Sequence, residues 1–294
     1  MVFLTYLING ISLGSVYALI ALGYTMVYGI AKMLNFAHGD VIMIGSYVVF
    51  TVVSTLNLPM WLGMILSVVL CTVLGIVIEK VAYKPLRKAS SSLAVLITAI
   101  GVSYLLQNVA LLIFGANTKA FSSVVNIGSL SFANGKLTIT GETLVTIVAC
   151  VVIMIVLTLF SKKTKAGQAM LAVSEDKGAA ELMGINVNGT ISLTFAIGSA
   201  LAAVAGMLLC SSYPALTPYT GSMPGIKAFV AAVFGGIGSI PGAFIGGIIL
   251  GVIEIMSKAY ISSQLSDAIV FLVLVLVLLI KPTGLLGKKI QEKV

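Results

Sequence analysis

Uncharged apolar runs at about 9–31, 41–56, 60–78, 93–115, 143–160, 190–211, 226–258 and 267–280 alternate with short polar segments along the whole chain. A helix needs roughly 17–25 residues to cross a hydrocarbon core of about 30 Å. The pattern therefore predicts an all-α polytopic membrane protein with about eight transmembrane helices. Several runs are short for a full crossing, which predicts half-helices among them. Residues 1–294 read as one transmembrane domain, with one long polar insertion at about 161–189.

Two places break the helical pattern. GGIGSIPG at 235–242 holds four glycines and a proline in eight residues, a composition that an uninterrupted helix interior disfavours. LNFAHGD at 34–40 is a second polar, Gly-containing break before an apolar helix. Non-helical backbone at membrane depth persists only where protein or a wet cavity satisfies it. Both breaks are thus candidates for broken or re-entrant elements lining a translocation pathway or gate, through Asn35, His38, Gly39 and Asp40, and through Gly235, Gly236, Gly238, Pro241 and Gly242. The spacings Gly242/Gly246 and Gly247/Gly251 equally suit a small-residue packing seam, and the two readings are compatible.

Lysine and arginine in short loops set the orientation. Lys80, Lys84, Arg87 and Lys88 lie in 79–92; Lys162, Lys163, Lys165 and Lys177 lie in 161–189; Lys281, Lys288, Lys289 and Lys293 lie in the tail. These three segments belong on the cytoplasmic side. The polar segment 116–142, with Lys119 and Lys136, belongs outside as a loop or hairpin. Parity then requires 226–258 to be two segments, broken at the Gly-rich stretch, and puts the N-terminus outside and the C-terminus in the cytoplasm. The first 31 residues carry no charge, so Met1–Ala31 lacks a basic signal-peptide region and reads as a retained span.

Composition narrows the function. Hydrophobic residues form 59% and charged residues 9% of 294 positions, against roughly 45–50% and about 25% in soluble domains. The net charge of +8 includes a single arginine and follows the positive-inside bias, so a nucleic-acid partner is not expected. Cys71, Cys150 and Cys210 stand alone in apolar runs, as buried small hydrophobes do. One histidine, His38, leaves no metal set and no Ser/His/Asp triad, and no GxxxxGK[ST] loop is present. The chain is expected to be no enzyme, to hold no cofactor or metal, and to bind no ATP itself.

Charges at membrane depth remain candidates. Glu254 and Lys258 are four apart, the favourable order for a helical ion pair. Lys227 follows Pro224–Gly225 and reads either as a snorkelling lysine or as a possible contact for a substrate carboxylate.

SEDKGAAELMGINVNG at 174–189 packs four charges into sixteen residues of this apolar chain. AAELMG at 179–184 followed by Ile191-Ser-Leu resembles the cytoplasmic EAA loop of ABC importer permeases. Ala179, Ala180 and Gly184 match that pattern, while Gly178 replaces its glutamate and Thr194 its proline. The segments NGISLGSVYALIALGYTMVYGIAKMLNFAHGD, AYKPLR at 82–87, SEDKGAAELMGINV, GIKAFVAAVFGGIGSIPGAFIGGIILG and KPTGLLG follow in order. Together they resemble, over most of 1–288, the LivH-type permeases of branched-chain amino acid ABC importers, in the binding-protein-dependent inner-membrane component family.

The resemblance implies a multi-pass permease of a prokaryotic cell membrane that moves branched-chain amino acids inward on ATP hydrolysed by other subunits. Its implied partners are a second, LivM-like permease, two cytoplasmic ATPase subunits and an external solute-binding protein, besides substrate and the lipid bilayer. Asp176, Ala179, Ala180, Glu181 and Gly184 would form the helix coupling to an ATPase. Urea, short amides and other amino acids stay open as substrates, since relatives share these motifs. An ion-coupled secondary transporter would need intramembrane carboxylates, for which only Glu254 and at most Asp40 qualify, and is the less favoured alternative; a structural membrane subunit would carry no flux.

Overall fold

The computed structural model describes residues 2–88, 92–125, 127–132 and 137–287. Lys136, Lys288, Lys289 and Lys293 lie outside them. Among the described residues, eleven α-helices follow in order: α1 Val2–Ala31, α2 His38–Phe50, α3 Met60–Ile78, α4 Ser92–Phe114, α5 Gly141–Lys163, α6 Lys165–Glu175, α7 Lys177–Leu182, α8 Val187–Ser212, α9 Ser222–Gly235, α10 Ile240–Tyr260 and α11 Ser266–Ile280. Single π-helical turns extend α2 over Thr51–Thr55 and α3 over Glu79–Tyr83. Seven of these helices, counted with their extensions, are long and apolar enough to cross a membrane, and α9 and α11 are shorter apolar helices. The protein is all-α and polytopic, as the hydrophobic runs predict.

The apolar run at 226–258 divides into α9 and α10, which pack against each other. Gly236 and Gly238 between them take φ of 104° and 90°, values that side chains with a Cβ rarely adopt. Segment 116–142 contributes short strands: β1 Lys119–Ala120, and a hairpin of β2 Leu130–Phe132 with β3 Leu137–Ile139. β1 pairs antiparallel with β4, Ala215–Leu216, just beyond α8.

α1 is the axis. Every residue from Ser12 to Val27 is buried, as befits a helix that is apolar all round and surrounded by protein. Helices α5, α8, α9 and α10 pack around it. Small residues bring the backbones together, because at the glycines of such crossings even a methyl group would collide. A Cβ on Gly14 would lie 2.7 Å from the Ile248 Cα, and one on Gly10 would lie 2.8 Å from the Val252 Cα. Cβ atoms on Gly247 and Gly251 would collide with the backbone of Ala18 and Gly14. In contrast, α4 and α5 leave most of their surface outward, with Leu112, Ile113, Val148 and Val156 exposed, the aspect that lipid would cover.

The bundle has two distinct ends. At the loop end lie the end of α1, the π turn of α3, helices α6 and α7, and the α9–α10 turn. Lys177 Nζ donates to the Ala31 carbonyl at 3.0 Å, and a Cβ on Gly29 would lie 3.3 Å from the Gly238 Cα. The opposite end carries the start of α1, the end of α8, the strands and the end of α10.

At the loop end, the buried Glu79 pairs with Arg87, accepts from Ser192 Oγ of α8 at 2.5 Å, and so joins α3 to α8. Arg87 Nη1 also donates to Asn188 Oδ1 at 2.7 Å. Burial lowers the pKa of the Arg87 guanidinium, against which Glu79 acts to raise it.

Two measurements check these contacts. Gly251→Leu, which drives a side chain into Gly14, should lower thermal stability in detergent by about 1–3 kcal/mol or prevent folding. Gly101→Ala on α4, where nothing lies within 4 Å, should change stability by no more than about 0.5 kcal/mol or raise it slightly. Arg87→Met leaves Glu79 buried without its cation and should cost about 3–5 kcal/mol, whereas Arg87→Met with Glu79→Met should recover most of that loss. A double-mutant cycle by denaturation reads the difference.

Candidate functional site

The first break folds back into the protein. After α1 ends at Ala31, Lys32 takes a positive φ of 57° and residues 32–37 are not helical. This return segment brings His38 against the middle of α1, where a Cβ on Gly23 would collide with the imidazole. The His38 ring meets Tyr24 edge-on at 4.6 Å and bonds the Ile20 backbone, while its Nε2 is buried without a partner. Asn35 Oδ1 accepts from Tyr83 Oη at 3.0 Å, and the Asn35 carbonyl accepts from the His38 N–H at 3.1 Å. These bonds supply part of what the unwound backbone needs.

A second unwound segment meets the first. Residues 213–221, YPALTPYTG, separate α8 from α9 with only the two-residue strand β4. Gly221 and Gly225 lie against Gly39, and a Cβ on Gly225 would be 2.8 Å from the Gly39 Cα. The N-termini of α2 and α9 therefore face each other, and helix N-termini favour negative charge. Asp40, in the first turn of α2, is that charge, buried at 2% exposure. Gln107 Nε2 of α4 donates to Asp40 Oδ1 at 2.8 Å and lies 3.3 Å from Ser222 Oγ and Ser103 Oγ. One glutamine thus joins both broken elements to α4.

Among the predicted pathway residues, Asn35, His38, Gly39 and Asp40 come together at this junction. The structure puts Gly235, Gly236, Gly238, Pro241 and Gly242 at the loop end, in the elbow between α9 and α10. Gly235 and Gly242 pack backbone to backbone, Pro241 sits in the first turn of α10, and Ser239 Oγ accepts from the Gly242 N–H at 3.2 Å. The C-terminal segment covers the elbow: Leu285 and Leu286 N–H groups donate to the Phe234 and Gly235 carbonyls at 2.8 and 2.9 Å. The interruption facing Asp40 is instead 213–221, where Pro214, Pro218 and Gly221 were the available signal.

Lys227 is buried and bonded to two carboxylates, Glu254 Oε1 at 2.8 Å and Asp267 Oδ1 at 2.7 Å. Glu254 also accepts from Lys258 Nζ at 2.5 Å and from Tyr17 Oη at 2.8 Å. The Glu254–Lys258 spacing does form its helical pair, within a four-charge cluster that joins α9, α10 and α11. Burial first, then Glu254, pushes the Tyr213 phenol up, so it is a neutral hydroxyl beside these charges.

The charged insertion folds as two short helices. Asp176 Oδ1 accepts from the Gly178 and Ala179 N–H groups at 2.8 and 3.0 Å and caps α7. Gly184 has a φ of 81°, and the Gly184 and Ile185 N–H groups close the helix on the Glu181 and Ala180 carbonyls, a Schellman end. Ala180 is buried, Glu181 is exposed, and Leu182 and Met183 project at 91% and 82% exposure. Burial, Arg87 and Lys32 lower the Lys177 pKa, yet its ammonium caps the end of α1, a favourable place for a cation.

The chain matches the family described as the permease component of the branched-chain amino acid transport system over residues 6–278. It is 48% identical to the high-affinity branched-chain amino acid transport system permease protein LivH of Salmonella typhimurium, covering 99% of this chain and 98% of that one. The corresponding permease protein BraD of Pseudomonas aeruginosa is 44% identical at the same coverage. A probable branched-chain amino acid transport permease, LivH of Methanocaldococcus jannaschii, is 31% identical over 92% of this chain and 88% of its own. On these matches the chain belongs to the branched-chain amino acid transport permease family.

Proposed function

We propose that this chain is the membrane-spanning permease subunit of an ABC importer that carries branched-chain amino acids inward, driven by ATP hydrolysed on separate subunits. The observation that carries the reading is the near full-length identity to LivH. The composition, seven membrane-length helices and buried broken elements agree with it. Such a permease works with ATPase and binding-protein partners. We assign it further to a pairing with one LivM-like permease, two ATPases and one external solute-binding protein, in a membrane where the loop end is cytoplasmic and the start of α1 is outside. The lysine distribution supports that orientation.

α7 suits the coupling role. Its cap and Schellman end fix six residues as a helix, Ala180 anchors it, and Leu182 and Met183 stand exposed beside charged positions. Exposed apolar side chains at the tip of a polar segment suit a groove on a partner. Lys177 links this helix to the end of α1, so force on α7 would reach the central helix directly. The junction of Asn35, His38, Gly39 and Asp40 with 213–221 is the proposed gate: unwound segments can change conformation without breaking a continuous helix ladder.

Deleting the chain from cells that contain its partners should abolish radiolabelled leucine uptake, with isoleucine and valine competing and urea and short amides failing to compete. Unchanged leucine uptake would move the amide-type substrates to the front. Leu182→Asp and Gly184→Glu should each leave the protein in the membrane, lose ATPase co-purification and reduce uptake at least about tenfold, the loss of about 1.4 kcal/mol of docking energy. Normal uptake by both variants would sink the coupling assignment.

A further inference from the structure

The four-charge cluster adjoins a cavity that the packing of the bundle leaves open. A cavity of about 210 Å³ lies between α1, α8 and the start of α9, walled by Leu13, Leu209 and Pro224 and bounded by Tyr17, Glu254 and Lys258. A larger one of about 510 Å³ shares Leu13, Tyr213 and Lys258 with it and is lined with hydroxyl and amide groups, among them Asn9, Ser12 and Thr143. Both lie at the end of the bundle where α1 begins.

The chemistry of the walls is specific. Two ammonium groups, Lys227 and Lys258, face two carboxylates, Glu254 and Asp267, so the cluster is neutral. Lys227 and Glu254 are its buried members, at 7% and 2% side-chain exposure, whereas the Lys258 side chain is 40% exposed. Breaking such a pair leaves an uncompensated buried charge unless another ion takes the vacated place. A zwitterion supplies both replacements at once. Lys258 turning from Glu254 to a ligand carboxylate frees the Glu254 oxygen for the ligand ammonium, while Lys227 and Tyr17 stay bonded to Glu254. The net charge of the site does not change. An uncharged amide offers neither replacement, and a carboxylate without an ammonium would leave Glu254 short of a partner.

We propose that the Glu254–Lys258 pair, with the Leu13, Leu209 and Pro224 wall beside it, is the receiving site for a zwitterionic amino acid with an aliphatic side chain. This rests on the permease reading and deepens it: the head group inserts into the ion pair and the side chain lies on the apolar wall. Lys227 is the positioning residue that holds Glu254 in place, and Lys258 is the group that touches substrate. The larger cavity is the polar vestibule through which substrate released by a binding protein arrives.

The test uses the complete importer reconstituted in lipid, with its binding protein saturated by a diazirine analogue of leucine, illuminated during ATP turnover and mapped by mass spectrometry. Adducts should fall on the peptides carrying Leu13 or on those carrying Leu209 and Pro224. Excess leucine should suppress them and excess 4-methylpentanoate should not. Lys258→Met should lower this labelling about tenfold, the effect of one lost charge-assisted bond, while Lys258→Arg should keep it within about twofold. Adducts confined to other helices of the chain, or labelling unchanged in Lys258→Met, would overturn the site even if the wild-type importer takes up leucine. A wild-type importer that takes up no leucine would overturn the site and the leucine reading together. Co-purification of each variant with the ATPase separates a lost contact from a lost fold.

Discussion

Everything in this protein depends on helix α1 being surrounded on all sides at backbone distance. Between Ser12 and Val27 no side chain reaches the surface, and lipid cannot drive such a fit, since hydrocarbon tails are as apolar as leucine. Close contact through Gly10, Gly14, Gly247 and Gly251 is what remains. Because α10 runs along α1 so closely, its charged end is carried alongside the first half of α1, where Tyr17 bonds Glu254.

The same compactness makes broken helices tolerable. The two unwound segments enter from opposite ends of the bundle and lead into the starts of α2 and α9, where Gly39, Gly221 and Gly225 touch and where polar partners are available. Asp40 illustrates the balance: a carboxylate without a basic partner among the described residues is held by Gln107, Ser103 and the start of its own helix. Glu79 and Glu254 follow the other route and are neutralised by arginine or lysine. Buried charge is thus handled by pairing at both ends of the bundle and by hydrogen bonding at its centre.

Much of this was legible in the sequence, and the rest has identifiable reasons for being hidden. Hydrophobic run length located the membrane helices to within a few residues, except that α1 begins at Val2 rather than near residue 9. Parity and the Gly-rich stretch correctly split 226–258. The polar Gly-containing break at 34–40 marked the unwound segment only in part: the chain is non-helical over 32–37, and His38, Gly39 and Asp40 already form the first turn of α2. The segment 213–221 drew no expectation, since a proline-containing stretch between two apolar runs has the same composition whether it stays at the surface or dips inward. Gln107, Ser222 and Tyr83 were invisible for a different reason: each bonds a residue dozens of positions away, and periodicity carries no such information. Lys227 looked like a lone cation for the same reason, its partners Glu254 and Asp267 lying on other helices.

Helix α4 stands apart from this compact centre. Its sides are mostly exposed, and its contacts run chiefly to α2 and to the π turn of α3. Yet through Gln107 it holds the first turns of both α2 and α9. A peripheral helix of this kind tilts with bilayer thickness at modest energetic expense, and the central hydrogen bonds would register that tilt through one amide. A change in bilayer thickness that tilted α4 would thereby reach the Asp40 junction through a single side chain, much as a bound ligand would.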